Sequence, residues 1–364
     1  MTVLAHGVGG RHDLPLPLDL VLQGAAVALL ASFLALGLLW TKPRFVAAER
    51  EGHREWWPVQ VLLLVALPFV PGGAWPHLVF VLFWVGLAVV SMLFGPVWRV
   101  VNPLRPAARF SLGKEYPARL GYWPAAAGLL AFTWVELVEP GALFWFLGGY
   151  ALVNVAGGVV FGRAWFEHAD GFEVYSTLLG RLSPLRGNPF RALVATPVRP
   201  GLVAVVAVCL GSTAFDSIGS TPTWARLSPV PDWVGLVATV ALVAGSYLLA
   251  CRAFGGELAH SLIPIIAGYV VAHYYSLLVV EGQRGVALLS GVDGFTPNDL
   301  AATPPVVAAV QLGAVLAGHL LAVVSAHDRT LRLLPRQEQL TGQMPLLVLM
   351  VGYTSGGLAL LFAG

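Results

Sequence analysis

Long apolar stretches alternate with short polar ones along almost the whole chain. Eight stretches are long enough to cross a bilayer, for which about 20 apolar residues are needed. They are 18–40, 76–96, 121–138, 141–161, 232–250, 258–280, 303–325 and 344–362. A ninth stretch, 200–215, is shorter, and a tenth, 58–70, has only 13 residues. The pattern predicts an all-helical transmembrane bundle of about ten spans.

The distribution of lysine and arginine supports the tenth span and orients the chain. If all ten stretches cross and the N-terminus lies outside, eighteen of the 21 basic residues fall in cytoplasmic loops. Cytoplasmic loops of membrane proteins carry such an excess. Without a crossing at 58–70, the basic loops 41–57 and 97–120 would lie on opposite sides. We therefore expect both termini outside and one integral-membrane domain over residues 1–364.

Composition agrees with a membrane protein that has the lipid bilayer as its solvent. Hydrophobic residues make up 57% of the chain and charged residues 11%, whereas soluble domains have about 25% charged residues. A net charge of +2 gives no reason to expect nucleic-acid binding. No Walker A loop or glycine-rich dinucleotide fingerprint indicates a nucleotide partner. Cys209 and Cys251 lie in or beside apolar stretches, so no disulfide scaffold is indicated.

The longest gap between predicted spans, 162–199, is predicted to be a cytoplasmic loop. From Phe172 to Leu182 its apolar residues recur at helical spacing. This pattern predicts an amphipathic helix that lies on the cytoplasmic surface. The other connections are too short for a soluble domain of appreciable size.

Ionisable residues within or beside apolar spans are costly, and they mark candidate sites. One set is expected near the cytoplasmic side: His260, His319, His327 and Asp328, with His168 and Asp170 supplied by the loop 162–199. Histidine and carboxylate groups are ligands of zinc, manganese and iron, so this set is a candidate metal site. Spacing opposes a compact centre, because His319 and His327 are about 12 Å apart along one helix. The alternative is that each histidine hydrogen-bonds a neighbouring helix.

A second set is expected on the exterior side. It consists of His6 and Asp13 in the N-terminal segment, Glu136 within an apolar stretch, and Asp216 in a loop, while His273 belongs nearer the outer side of its span. Each has a simpler interpretation as well. Glu136 fits a carboxylate at the level of the headgroups, and Asp216 fits a turn residue in a loop rich in Gly, Ser, Thr and Pro.

Short motifs are spread from the N-terminal segment to the last span. They are Ala5-His6-Gly7, Gly10-Arg11 with Asp13-Leu14-Pro15, Asn102-Pro103, Ala272-His273-Tyr274-Tyr275-Ser276, Gly318-His319, Ala326-His327, and Met344-Pro345 with Tyr353-Thr354. Together they resemble the bacterial multi-pass membrane proteins known as fenitrothion hydrolases. The resemblance implies hydrolysis of an organophosphate ester, a second membrane component as partner, and a place in the bacterial cytoplasmic membrane. It carries over to His273, His319 and His327, and less directly to His6 and Asp13.

Phosphotriester hydrolysis needs an activated water and stabilisation of charge on the phosphoryl oxygen, and a bound metal can supply both. The catalytic residues predicted on this basis are His327, Asp328 and His273, with His327 as a general base oriented by its neighbour. Three alternatives stay open. The chain could be a solute, proton or metal transporter, with Glu136 and the intramembrane histidines along its path. It could be a b-type haem protein ligated by His260 and His319, or a subunit of a larger membrane complex.

Overall fold

The computed structural model describes residues 17–47, 56–227, 229–292 and 294–362, and within them every regular element is a helix. The α-helices of this part of the chain are α1 (Leu18–Leu39), α2 (Trp57–Ala66), α3 (Gly86–Phe94), α4 (Val97–Val101), α5 (Trp123–Leu137), α6 (Leu143–Phe161), α7 (Arg163–His168), α8 (Gly171–Gly180), α9 (Pro189–Val194), α10 (Leu202–Gly219), α11 (Pro222–Arg226), α12 (Asp232–Ala250), α13 (Ile263–Leu289), α14 (Pro304–Leu333) and α15 (Met344–Leu361). A π-helical stretch, His77–Val85, leads directly into α3. Short 3₁₀ turns join most of the other elements.

Eight helical stretches among the described residues are long and apolar enough to cross a membrane. They are Leu18–Leu39, His77–Phe94, Pro140–Phe161, Leu202–Gly219, Asp232–Ala250, Ala259–Leu289, Pro304–Leu333 and Thr341–Leu361. These stretches agree with the predicted all-helical bundle of apolar helices. The other two predicted spans, 121–138 and 58–70, form shorter helices, namely α5 with 15 residues and the stretch Trp57–Phe69.

Burial divides the spanning helices into a protected centre and an apolar periphery. The most hydrophobic window is 72% buried in α10 and 67% buried in the stretch that contains α13, but only 22% buried in α1 and α12. Outward-facing side chains of the peripheral helices are apolar, and examples are Leu38, Trp145 and Leu249. So much exposed apolar surface fits a lipid environment. Among the polar side chains of α10 and α13, Asp216, Ser217 and His273 are buried within the bundle.

The helices α13 and α14 cross at small residues. A Cβ atom on Gly268 would lie 2.5 Å from the carbonyl oxygen of Ala314, and one on Gly318 would lie 2.5 Å from that of Pro264. These distances leave no room for a side chain, so the two backbones touch, as is common in membrane bundles. The contact sets the register of the pair, with residue 268 opposite residues 314–318.

The helix α8 lies inside the bundle and packs against α3, α4, α5 and α13. Nine of its ten residues are buried, and the ring of Tyr175 stacks on that of Trp84 with centroids 4.5 Å apart. A helix on the membrane surface would keep an exposed polar face. The predicted surface helix in the loop 162–199 is thereby corrected, because the helix forms but is enclosed by other helices.

Buried ion pairs and hydrogen bonds explain why the polar residues of α8 are stable there. Glu173 accepts hydrogen bonds from Arg99, at 3.2 Å, and from Arg105, and the hydroxyl oxygens of Ser176 and Ser91 are 2.8 Å apart. Burial raises the pKa of Glu173 to about 6, although Arg105 and Arg99 act to lower it. The cost of desolvating the carboxylate, together with repulsion from Asp170, therefore outweighs the attraction of two guanidinium groups.

Candidate functional site

Buried polar side chains join α10 to α13 in the centre of the bundle. His273 Nε2 and Tyr274 Oη each lie 2.9 Å from Oδ2 of Asp216. Asp216 is 7% exposed and His273 is 2% exposed. Asp216 lies in the last turn of α10, and His273 lies well inside α13. These two helices bring the side chains together. We name Asp216, Ser217, His273 and Tyr274 the polar centre.

Ser217 lies on the opposite side of the His273 ring from Asp216. Its Oγ is 3.2 Å from His273 Nδ1 and 3.3 Å from the carbonyl oxygen of Thr213. With a neutral ring, Nε2–H donates to Asp216 and Nδ1 accepts from the hydroxyl of Ser217. With a protonated ring, Nδ1–H donates to Ser217, whose hydroxyl turns to Thr213. His273 therefore has a hydrogen-bond partner at each nitrogen in both protonation states.

The same contacts share the serine–histidine–carboxylate order of nucleophilic hydrolases, but other parts of such a site are missing here. Ser217 is 3% exposed and lies within α10. Backbone N–H groups inside a helix bind carbonyl oxygens of the preceding turn, so they are not free to stabilise an oxyanion. Neither Ser217 nor His273 lines the cavities of 810, 540 and 370 Å³. A substrate ester has no route to the Ser217 hydroxyl through these cavities.

Glu136 adds a second carboxyl group from the side of α5. Helix α5 packs against α10, and Glu136 interacts electrostatically with Asp216 and with Tyr274. Two neighbouring carboxylates repel each other when both are ionised. A proton held within the polar centre relieves that repulsion.

A further ionisable pair lies eight residues beyond His273 on α13, about 12 Å along the helix axis. Glu281, which is 6% exposed, has its Oε2 3.1 Å from Nε2 of His77. Arg284 donates a hydrogen bond to the other carboxylate oxygen at 2.5 Å. A cavity of 540 Å³ lies beside this pair and is lined in part by Gln283. Titratable groups thus continue from the polar centre toward the C-terminal end of α13.

The predicted cytoplasmic-side histidines are not gathered into one site. His319 Nδ1 lies 2.8 Å from the carbonyl oxygen of Val315, and His260 Nδ1 lies 3.1 Å from that of Glu257. Each histidine therefore contacts a carbonyl oxygen three or four residues earlier in its own segment. Nε2 of each ring is buried without a hydrogen-bond partner among the described residues.

His327 and Asp328 fasten the chain that follows α1 to α14. His327 Nε2 lies 2.9 Å from the carbonyl oxygen of Trp40, and its Nδ1 lies 3.1 Å from Oε1 of Gln343. Asp328 accepts a hydrogen bond of 2.6 Å from the backbone N–H of Arg44. These contacts assign both side chains a role in packing between distant segments.

Asp170 and His168 act around the start of α8. Asp170 caps the helix by accepting from the backbone N–H of Phe172 at 3.0 Å, and it accepts from the hydroxyl of Tyr150 at 2.6 Å. Burial raises the pKa of Asp170, and the hydrogen bond from Tyr150 acts in the opposite direction. His168 Nδ1 lies 2.8 Å from the carbonyl oxygen of Ala164, and burial lowers the pKa of this imidazole.

Metal-ligand geometry is not found within the described parts of the chain. No three or more His, Cys, Asp or Glu side chains there lie close enough together to hold a metal ion. The predicted metal site, and the predicted haem site at His260 and His319, therefore gain no support from the geometry and stay predictions. His6 and Asp13 lie outside the described residues.

Two features of the polar centre differ from the sequence-based expectation. The sequence pattern predicts Asp216 in an exterior loop, but α10 continues to Gly219 and places it inside a helix. Ser217 and Tyr274 were not among the candidates. A signal for Ser217 was available, because it follows Thr213 by four residues, the spacing at which a hydroxyl reaches the carbonyl of the preceding turn.

Comparison with known proteins adds no relative to this picture. No protein-family model, no curated protein and no solved structure matches the chain. The resemblance to the fenitrothion hydrolases therefore stays a prediction.

Proposed function

We propose that the protein is a proton-coupled membrane transporter and that the polar centre binds and passes on the proton. The observation that supports this proposal is the position of His273 between Asp216 and Ser217, at 2.9 and 3.2 Å. Histidine exchanges protons near neutral pH, and here the ring is paired in both forms. Ionisable side chains within a membrane bundle commonly mark ion and proton routes.

The pair of Glu281 and His77 extends this route along α13. It lies about 12 Å from His273 along the helix axis, which is too far for direct transfer and suits a path through intervening water. The carboxyl group of Glu136 offers a second proton acceptor on the α5 side. A path of this kind joins three spanning regions of the bundle, so a shift of one helix would open or close it.

The proposed topology has ten spans, with α5 and the stretch Trp57–Phe69 crossing and both termini outside. It places eighteen of the 21 basic residues on the cytoplasmic side of a bacterial inner membrane. Helix α10 then begins at the cytoplasmic side with Leu202. Asp216 lies about 21 Å further along the axis, in the outer part of the membrane.

Ester hydrolysis, the activity implied by the family resemblance, requires an activated water or nucleophile that the substrate can reach. The buried hydroxyl of Ser217 lines none of the three cavities described above. The described histidines share no metal-ligand cluster. Proton handling needs only water-sized access to His273, and for that reason we prefer transport.

The test is proton flux into liposomes that contain the purified protein and a trapped pH-sensitive dye. A potassium diffusion potential drives protons inward, and we expect acidification faster than in protein-free liposomes. Asp216→Asn should return the rate to the protein-free level, because the amide cannot hold a proton for His273. Asp299→Asn, at an exposed position, is the matched control and should behave as wild type. A wild-type rate equal to that of protein-free liposomes contradicts the proposal.

A further inference from the structure

An apolar groove of 810 Å³ runs between α5, α10 and α12. Its walls include Leu130 of α5, Ala207 of α10 and Ala241 of α12. Arg199, which precedes α10, is the one charged residue among those that line it. The groove thus combines a long apolar surface with a single cation at one end, and it is independent of the polar centre.

The guanidinium group of Arg199 is not fully satisfied by the protein. Its Nε is buried and has no hydrogen-bond partner among the residues that the structure describes. A buried N–H without an acceptor is unfavourable, the more so when it carries charge. An anionic oxygen from a ligand would supply the missing acceptor.

Arg199 is the cation that this end of the groove presents. Arg199, Arg181, Arg99 and Glu167 all act on the ring of Tyr122. Arg99 is paired with Glu173 at 3.2 Å and lies 3.8 Å from Glu167, and Arg181 donates to the carbonyl oxygen of Ala192 at 2.6 Å. An anion at this end of the groove therefore meets the charge of Arg199.

The depth of Arg199 matches the headgroup region of a bilayer. It stands just before the first turn of α10, and Trp123, which is 55% exposed, begins α5 and lines the same end of the groove. Tryptophan and arginine concentrate at the boundary between hydrocarbon and water. The apolar walls then extend from this level into the hydrocarbon.

We infer that the groove binds one anionic phospholipid, with its phosphate at Arg199 and an acyl chain along α5, α10 and α12. The apolar walls fit an acyl chain, and the planar guanidinium group binds phosphate oxygens through paired hydrogen bonds. A zwitterionic lipid carries the same phosphate together with a cation, which Arg199 repels. The site therefore selects lipids of net negative charge.

Native mass spectrometry of the full chain in detergent tests this, with phosphatidylglycerol and phosphatidylcholine of identical acyl chains. We expect phosphatidylglycerol to bind about tenfold more tightly to the wild type, because both lipids offer the phosphate but only phosphatidylcholine brings a cation close to Arg199. Arg199→Gln should remove the preference. Arg191→Gln, at an exposed arginine of α9 outside the groove, should retain it. Equal binding of both lipids by the wild type, or an unchanged preference in Arg199→Gln, overturns the inference.

A second variant separates a lipid from a free anion and guards against misfolding of Arg199→Gln. Ala241→Phe fills the groove without changing any charge, so it should weaken binding of both lipids. Unchanged binding in Ala241→Phe, together with displacement of lipid by inorganic phosphate, would mean that an ion alone occupies the arginine. A dimer that forms as lipid is removed would mean that a second copy of the chain covers the groove. Either result overturns the lipid site.

Discussion

Oδ2 of Asp216 lies 2.9 Å from Nε2 of His273, and the two residues belong to the two most buried of the eight spanning stretches. Such a pair is tolerated in an apolar bundle only when further hydrogen bonds satisfy it. Tyr274 donates to the same carboxylate oxygen, and Ser217 faces the other ring nitrogen. The pair is therefore held by further hydrogen bonds and is not an isolated buried charge.

Substitutions at His273 and Tyr274 should distinguish a role in proton transfer from a role in hydrogen bonding to Asp216. Glutamine at position 273 can still bond Asp216 but cannot take up a proton, so His273→Gln should lower liposome proton flux by about tenfold or more. Tyr274→Phe removes one hydrogen bond of 2.9 Å to Asp216. It should lower flux only about threefold. Equal losses in both variants would argue that His273 acts as a packing residue.

The stability of the protein should fall between about pH 4.5 and 6 because of Glu173. Its pKa rises from 4.5 to about 6 on burial, so the folded state holds a proton that the unfolded state releases in this window. Stability is complete below the unfolded pKa and declines as the pH rises through the folded pKa, by about 2 kcal/mol. Thermal unfolding in detergent from pH 4 to 8 measures this decline. Glu173→Gln should flatten the profile relative to the wild type, whereas the exposed control Glu115→Gln should leave it unchanged.

A methyl group at the crossing of α13 and α14 should destabilise the bundle. Alanine at position 268 would place its Cβ 2.5 Å from a backbone oxygen of α14, which cannot move aside as a flexible side chain can. We expect a loss of about 2 kcal/mol and a lower unfolding temperature. Gly313→Ala is the control on the partner helix, since nothing lies within 4 Å of its Cβ position. Equal unfolding temperatures for the two variants would show that the helices separate easily.

Replacing Gln311 by leucine should stabilise the protein. Gln311 is 0% exposed, and neither atom of its amide has a hydrogen-bond partner among the described residues. Removing an unsatisfied buried amide is expected to gain about 1 kcal/mol. In contrast, Gln60→Leu should destabilise, because Gln60 is 1% exposed and donates to the carbonyl oxygen of Arg99 at 3.2 Å. The unfolding temperatures of both variants, compared with that of the wild type, test these two expectations. An unfolding temperature of Gln311→Leu below that of the wild type would refute the first.

Single cysteines should report the proposed topology. Phe110 is 76% exposed and Val230 is 41% exposed, and the ten-span arrangement puts them on opposite sides of the membrane. A membrane-impermeant maleimide should label Val230→Cys in intact cells and Phe110→Cys only after lysis. The native Cys209 and Cys251 are buried, so the unmodified chain serves as the control. Labelling of both positions in intact cells would exclude the proposed orientation.

The spanning helices could be predicted because each is a long apolar run, and that signal is local. The end of α10 could not be predicted in the same way. Asp216 and Ser217 interrupt the apolar run and resemble the start of a loop, whereas contacts with His273 keep them in the helix. The partner lies 57 residues further along the chain, and no local pattern carries that information.

The burial of α8 could not be predicted from the sequence, for a related reason. Glu173 and Ser176 suggest a water-facing stripe when the helix is considered alone. Their partners, Arg105 and Ser91, lie 68 and 85 residues earlier in the chain. Likewise, the histidines that the sequence groups by depth and residue type lie on separate turns of the bundle. Periodicity gives the height of a residue along its helix but not the neighbouring helix that the residue faces.

The enclosed position of α8 has a consequence for how the molecule is made. A ten-residue segment with Glu173 and the capping Asp170 is too short and too polar to partition into hydrocarbon as the ribosome delivers it. The helices that enclose α8 include α13, which is synthesised later. Docking of α8 is therefore a late step of assembly, and an immature chain would present this segment to the quality-control proteases of the cell.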